Sequence, residues 1–307
     1  MHLTAKLYLA ITLLCNFTVF AQNNEPESEL SEEQQYLAWA DNLWASMNPQ
    51  TGNITLAGDV AELRVPETFY YLNKADSKKV LEEIWGNPPG SAAQLLGMLF
   101  KQGATPFDGD AWGVTIEYEQ DGYVSDVDAA ELDYTELLEQ MQHDTAQTSK
   151  ARIEQGYEPI QLIGWAAPPY YDKSTNKLHW AKEIKFGQAE LNTLNYNIRV
   201  LGRKGVLVLN FIASIEQLPE INNNIDSVLA MADFTDGSKY SDFNPDLDDV
   251  AAYGIGALVA GKVIAKTGLL AGAIIFLKKF GIVLLIALGA LLKKVFSRNK
   301  TTTTPEN

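Results

Sequence analysis

The sequence predicts an α+β fold: an antiparallel sheet of hairpins with packed helices, plus a C-terminal transmembrane helix. Three observations carry that expectation. Short runs of period-two alternation come in pairs around turn residues, which marks hairpins. Runs with helical spacing fall between those pairs instead of alternating with single strands, which argues against a parallel sheet. Charge is segregated along the chain: residues 22–249 hold 38 Asp/Glu and 15 Lys/Arg, whereas residues 250–307 hold 1 acid and 8 bases among apolar blocks.

Composition sets the outer bounds. At 46% hydrophobic and 21% charged, the 307 residues fit a globular chain and exclude global disorder. One Cys excludes a disulfide-stapled module and a multi-Cys metal site. A net charge of -15 argues against nucleic acid as a partner, because phosphate backbones require Lys and Arg.

The chain opens with Lys6, an apolar run from Leu7 to Phe20, and Val19-Phe20-Ala21. This fits a signal peptide over residues 1–21, cut after Ala21. The alternative is an uncleaved anchor, for which the run is short. Cys15 follows Leu14 rather than a small residue, so it is not a lipoprotein site. Lost with the leader, it leaves a mature chain without thiols, which suits an oxidising compartment and removes thiol catalysis.

Residues 22–235 read as the exported α+β domain. Ser31 and Gln34 have capping-box spacing, and Tyr36, Leu37, Ala40, Leu43, Trp44 and Met47 continue at helical spacing until Asn48-Pro49. Asn53–Leu56 and Ala61–Val65 flank Gly58-Asp59 as a hairpin. Asp76 is placed to cap a helix carrying Val80, Leu81, Ile84 and Trp85, stopped by Gly86-Asn87-Pro88-Pro89-Gly90. Val114–Tyr118 and Tyr123-Val124 read as strands joined at Asp121-Gly122. Asp133 and Glu136 open a long helix that Gly156 ends. Ile160–Ala167 and Leu178–Ile184 are strands around a turn containing Pro168-Pro169 and Asp172. The plainest hairpin joins Tyr196, Ile198 and Val200 through Gly202-Arg203-Lys204-Gly205 to Val206–Ile212. A last helix starts near Pro219 and shows Ile221, Ile225, Val228 and Leu229.

Residues 236–249 form an acidic juxtamembrane linker. Residues 250–266 read as a small-residue amphipathic helix, and Lys262 and Lys266, one turn apart, suit the membrane surface. Residues 267–292 are the transmembrane helix. Its 15 Leu, Ile, Val and Phe residues contribute about -4.5 to -9 kcal/mol against about +5 to +7 for Lys278 and Lys279, so insertion is balanced and tips when those lysines snorkel or face a partner helix. The basic tail 293–307 then places the C-terminus in the cytoplasm and the body in the periplasm, single-pass on the inner membrane. A hairpin breaking at Lys279-Phe280-Gly281 would leave the basic tail outside and ranks lower. Gly254, Gly261, Gly268 and Gly272, with Ala257 and Ala265, recur at spacings of three or four, a stripe for helix association and homo-oligomer formation. The alternative is that Gly and Ala are common in membrane segments.

Three runs are distinctive: Gly164-Trp165-Ala166-Ala167-Pro168-Pro169-Tyr170-Tyr171-Asp172, Leu178-His179-Trp180-Ala181-Lys182-Glu183, and Leu194 to Leu207. Together they resemble a bacterial family of uncharacterised membrane-anchored proteins, a domain of unknown function. Trp85-Gly86-Asn87-Pro88-Pro89, Gly122-Tyr123-Val124 and Ala251-Ala252-Tyr253-Gly254 fit it as well. The resemblance spans about Gly52 to the membrane segment. It implies an exported body with a C-terminal anchor and supplies no catalytic residue.

Chemistry-bearing motifs are few. Between Lys101 and Lys150 lie 12 acids without a base. Asp126-Val127-Asp128 lacks the Gly and terminal Glu of an EF-hand loop, so the run reads as a solvated face and no metal is expected. His143 and His179 form no zinc spacing, and no nucleophile elbow, P-loop or dinucleotide fingerprint occurs. No cofactor is expected. The candidate ligand or partner surface is the Pro-aromatic turn, with Trp165, Tyr170, Tyr171 and Trp180 as flat faces and Asp172 as polar neighbour. Against it stands the packing of strand aromatics into a core. The leading reading is a non-enzymatic, partner-binding or self-associating envelope protein that touches membrane lipid and an envelope protein or glycan. The alternative is an envelope hydrolase or glycan-binding protein using carboxylates near the aromatic turn; the hydrolase would need two facing carboxylates, one with a raised pKa.

Overall fold

The computed structural model describes residues 31–129 and 133–260. The expected signal peptide, the expected transmembrane segment 267–292, the basic tail and Gly261, Gly268 and Gly272 lie outside the described residues. Among the described residues, no helix is long and apolar enough to cross a membrane.

The chain divides into two units at Ser46/Met47. In the first, helix α1 (Glu32–Ala45) starts on the expected capping box: Ser31 Oγ accepts from Gln34 N, and Gln34 Oε1 accepts from Ser31 N. Tyr36, Leu37 and Trp39 are exposed on it.

The second unit is α+β and mostly antiparallel. Strands β1 (Gly52–Leu56) and β2 (Ala61–Val65) form the expected hairpin, with Asp59 at φ 71° in its turn. Strand β3 (Phe69–Asn73) follows, then helix α2 (Lys74–Lys79), a π-helical turn Val80–Ile84, and strands β4 (Leu95–Lys101), β5 (Gly113–Glu119) and β6 (Tyr123–Ser125). After helix α3 (Tyr134–Glu154) come β7 (Ile160–Asp172), β8 (Lys177–Phe186), β9 (Thr193–Leu201) and β10 (Val206–Ser214). Helix α4 (Leu218–Met231), β11 (Ala232–Phe234), β12 (Val250–Gly254) and helix α5 (Ile255–Ala260) complete the unit.

One seven-stranded antiparallel sheet, ordered β3-β4-β5-β10-β9-β8-β7, organises everything else. One face packs against α4 and the small sheet β1-β2-β11. Leu99, Val114, Ile116, Ile198, Leu207, Leu209 and Phe211 meet Leu63, Ile221, Val228 and Phe234 there. Burying each such side chain contributes roughly 1.5–3 kcal/mol. The opposite face carries α3 and α5, with Val124, Met141, Leu162, Leu178, Trp180, Val206 and Val208 packed against Ile255, Leu258 and Val259.

Four expectations are corrected. The cap of α2 is Asn73, whose Oδ1 accepts from Ala75 N and Asp76 N, while Asp76 is buried in the first turn and accepts from Asn48 N. β6 is not the hairpin partner of β5; it pairs in parallel with β12, because Gly122 at φ 93° turns the chain against Asp249. Residues 250–254 are therefore a strand, not the start of a helix, and Gly254 closes that strand where a Cβ would collide with the Asp128 carboxylate. The segment Pro168 to Asp172 is not a turn. β7 runs through it on the sheet edge, and register shifts between Leu162 and Tyr170 absorb the two prolines, which have no N–H for a ladder.

Residues 236–249 are packed onto the body. Tyr123 stacks on Phe243 and Tyr240 at 3.8 and 4.5 Å, and Tyr240 Oη donates to Val124 O at 3.0 Å. The Asp248 carboxylate, 1% exposed, accepts from Arg203 Nε at 2.7 Å in the β9–β10 turn. The linker so fixed begins as part of the domain.

Candidate functional site

The sheet separates the predicted aromatic surface into two parts, because alternate residues of a strand face opposite sides. Trp165, Tyr171 and Trp180 turn to the α3/α5 face. Trp165 Nε1 donates to Tyr134 O at 3.1 Å, which fastens the start of α3 to β7. Tyr171 Oη donates to Asp126 Oδ2 at 2.9 Å and accepts from Asn176 Nδ2. Burial first, then the carboxylate, push its hydroxyl up to about 12, so it remains a neutral donor. Trp180 is 2% exposed. These three rings are packing elements.

Tyr170 alone of the four stays open, at 64% exposure. It stands at the mouth of a cleft of about 360 Å³ between the β7–β8 end of the sheet and α4. Asp172 and His179 contribute from the sheet, and Asn222 and Asp226 contribute from α4. Tyr196 and Ile225 form part of its floor. The two sides meet for a local reason: Ile221, Ile225 and Val228 hold α4 to the sheet, which leaves Asn222 and Asp226, one turn apart, exposed at its edge.

The electrostatics of the cleft are anionic. Asp172 accepts from Ser174 Oγ at 2.7 Å, Thr175 Oγ1 at 2.8 Å and Ser174 N at 2.8 Å. Those bonds, the Ser174 and Thr175 hydroxyls foremost, hold its carboxyl at about 2. Partial burial, then Lys177, depress His179, while Asp172 and Asp226 pull the other way. At neutral pH His179 is thus an uncharged imidazole with one donor and one acceptor. The carboxylates elsewhere that depart from ordinary behaviour, Glu220 and Asp248, also move downward, through Trp112 and Lys101 and through Arg203. A glycosidase acid requires the opposite.

No three of His, Cys, Asp and Glu converge on a metal-sized point among the described residues. Asp126 and Asp128 from the acidic run are engaged: Asp126 by Tyr171, and Asp128 by Ile255 N at 3.3 Å. Sequence reasoning found Tyr170 and Asp172 but missed Asn222 and Asp226. They are two polar residues four apart on a helix that also carries Glu220, Asn223, Asn224 and Ser227, so only the docking of α4 on the sheet, which brings them to the cleft with His179, singles them out.

The chain matches the family described as protein of unknown function, DUF2167, over residues 48–289, and it belongs to that family. No curated protein matches. Among solved structures it is similar to the solution structure of cyanobacterial PsbP (CyanoP) from Synechocystis sp. PCC 6803, at 12% identity and a TM-score of 0.32, covering 62% of this chain and 94% of that chain.

Proposed function

We propose that this member of DUF2167 is a non-catalytic binding protein of the bacterial envelope, exported through its leader and held by residues 267–292 in the inner membrane. Its ligand is an uncharged, hydroxyl-rich glycan seated in the Tyr170 cleft. The observation that carries the reading is the exposed Tyr170 ring beside acceptors and donors from Asp172, His179, Asn222 and Asp226. An aromatic face stacks on a sugar ring while carboxylates and amides take up its hydroxyls. The hydrolase alternative is disfavoured because Asp172 is held ionised by its own turn and cannot give up a proton at neutral pH.

The test is co-sedimentation of the full chain with purified envelope glycan. Binding that Tyr170→Ala and Asp226→Asn each abolish supports the cleft; unaltered sedimentation of both variants overturns it. Release of soluble fragments from the glycan would restore the hydrolase. Protease accessibility of the body in spheroplasts, with the tail protected, tests the topology.

A further inference from the structure

The α3/α5 face of the large sheet carries a polar band that its packing does not explain. Register places Thr115, Asn210, Asn197 and Trp180 side by side across β5, β10, β9 and β8. Arg199 flanks this row on one side, next to Asn197 along β9; Lys182 flanks it on the other, next to Trp180 along β8 and opposite Asn195. Among the described residues, four buried side-chain polar atoms lack a hydrogen-bond partner, and three of them are here: Trp180 Nε1, Arg199 Nε and Asn210 Oδ1. The fourth, Asp248 Oδ1, has Lys204 Nζ at 3.8 Å. Leaving such atoms unsatisfied costs about 1–3 kcal/mol each, so their concentration at one place asks for an occupant.

The charges point to the kind of occupant. The Arg199 guanidinium lies over the Trp180 ring at 4.9 Å, and its Nη1 donates to Ile198 O at 3.3 Å. Glu117 and Glu119 act on it from β5, beyond Val208 and Val206 of β10, and Tyr253 acts from β12. Lys182 is influenced by burial and by Arg199, a second cation. Glu117 and Glu119 offset the charge of Arg199 from β5, whereas Lys182 faces Arg199, a second cation, so a buried ammonium there is costly unless an anion joins it. The residues Lys182, Arg199 and Asn210 are half-buried, so the band reaches solvent at its margin, while Trp180 Nε1, Arg199 Nε and Asn210 Oδ1 are themselves buried. Trp180 Nε1–H, the Arg199 N–H groups and the Lys182 ammonium are all donors, and a flip of the Asn210 amide turns Nδ2 into the same space.

We propose that Trp180, Lys182, Arg199 and Asn210 form a binding site for a small oxyanion, a phosphoryl or carboxylate group, on the sheet face opposite the Tyr170 cleft. It stands independently of the glycan reading. The site gathers charge-assisted donors around one group, two of them on β8 and one each on β9 and β10, so occupancy also ties the sheet together.

The experiment follows full chain carrying 5-fluorotryptophan by fluorine NMR, with the Trp180 resonance identified from Trp180→Phe. It is titrated with inorganic phosphate, with acetate, and with chloride at matched ionic strength. A saturable shift of the Trp180 resonance with phosphate or acetate and not with chloride is expected; the stronger of the two names the group. Lys182→Gln weakens that binding by at least about tenfold, the loss of one charge-assisted hydrogen bond. Should Lys182→Gln fail to fold, Asn210→Ala supplies the second reading, with a smaller loss. A shift linear in salt, equal for all three anions, or untouched in a folded variant means ordinary hydration of the band and overturns the site.

Discussion

The two faces of the seven-stranded sheet are built from the same strands and differ in kind. The α4 face is continuous aliphatic and aromatic packing, from Leu63 through Phe211 to Phe234, with its rings in edge and tilted contacts around Trp112, Phe211 and Tyr196. The α3/α5 face has hydrophobic packing over β7, β8 and the β9–β10 turn, and then a stripe of Thr115, Asn210, Asn197, Arg199 and Lys182. β9 and β10 each hold both patterns, because Ile198 and Leu209 face one way and Arg199 and Asn210 the other. One face is apolar packing throughout; the other combines a second buried cluster with a row of polar groups.

The hardest test of that contrast is Phe211→Ala on the α4 face. Phe211 is fully buried between Trp112 and Tyr196. Its truncation should cost about 3–5 kcal/mol, read as a lower denaturation midpoint with an unchanged slope. A loss below about 1 kcal/mol, the scale of a surface substitution, would mean that this face is not the core.

On the other face the expected sign reverses. The Lys182 ammonium sits at about 8 in the folded protein, against 10.5 when free, because of burial and then Arg199. Between those two values the unfolded chain binds more protons, so this group makes folding more favourable as pH rises through the window. Below about 8 both states are protonated and the full cost of the buried charge remains. Lys182→Met should therefore be more stable than the parent at neutral pH by about 1–3 kcal/mol, a difference that vanishes by the upper end of the window. A pH-independent difference, or a loss at neutral pH, would remove the case for a strained cation.

These contrasts explain which parts of the fold were legible in the sequence. β1-β2 and β9-β10 were readable because alternation and Gly-containing turns coincide in them. β4 (Leu-Leu-Gly-Met-Leu-Phe-Lys) and β3 were not: buried on both sides, they show no alternation, and a short apolar run does not announce its type. β12 escaped because its partner β6 lies more than a hundred residues away, and its small residues imitate a membrane helix. The Pro168-Pro169 segment read as a turn because prolines leave sheets; only the register shows that this strand is an edge with bulges. The cleft was half legible for the same reason. Tyr170 and Asp172 sit in a distinctive run, whereas Asn222 and Asp226 become partners only through the docking of α4.

A smaller effect concerns how α3 is held over the polar face. Asp133 Oδ1 accepts from Thr135 N at 2.9 Å and Glu136 N at 3.2 Å, capping the helix. Asp133→Ala should cost about 1 kcal/mol, and Asp133→Ser should restore most of it. Hydrogen exchange should quicken in the first turn of α3 while the α4 face stays protected; uniform quickening would mean that the two faces unfold as one unit.

The smallest change in stability should accompany the largest change in binding. Tyr170 is exposed, it lines the cleft, and it is absent from both packed clusters. Its neighbours Trp165 and Tyr171, in the same run, are tied to Tyr134 O and Asp126. Tyr170→Ala should move stability by no more than about 0.5 kcal/mol, whereas Tyr171→Phe, which strips a half-buried hydroxyl from Asp126 and Asn176, should cost about 1–2 kcal/mol. If Tyr170→Ala destabilised as much as Tyr171→Phe, the ring would be a packing element and the cleft would lose the only exposed aromatic face it has among the described residues. If the variant kept full stability and also kept glycan binding, the ring would be a bystander. The reading of the cleft survives only the combination of unchanged stability and lost sedimentation, because that pairing separates a side chain held out for a ligand from one left outside by the packing.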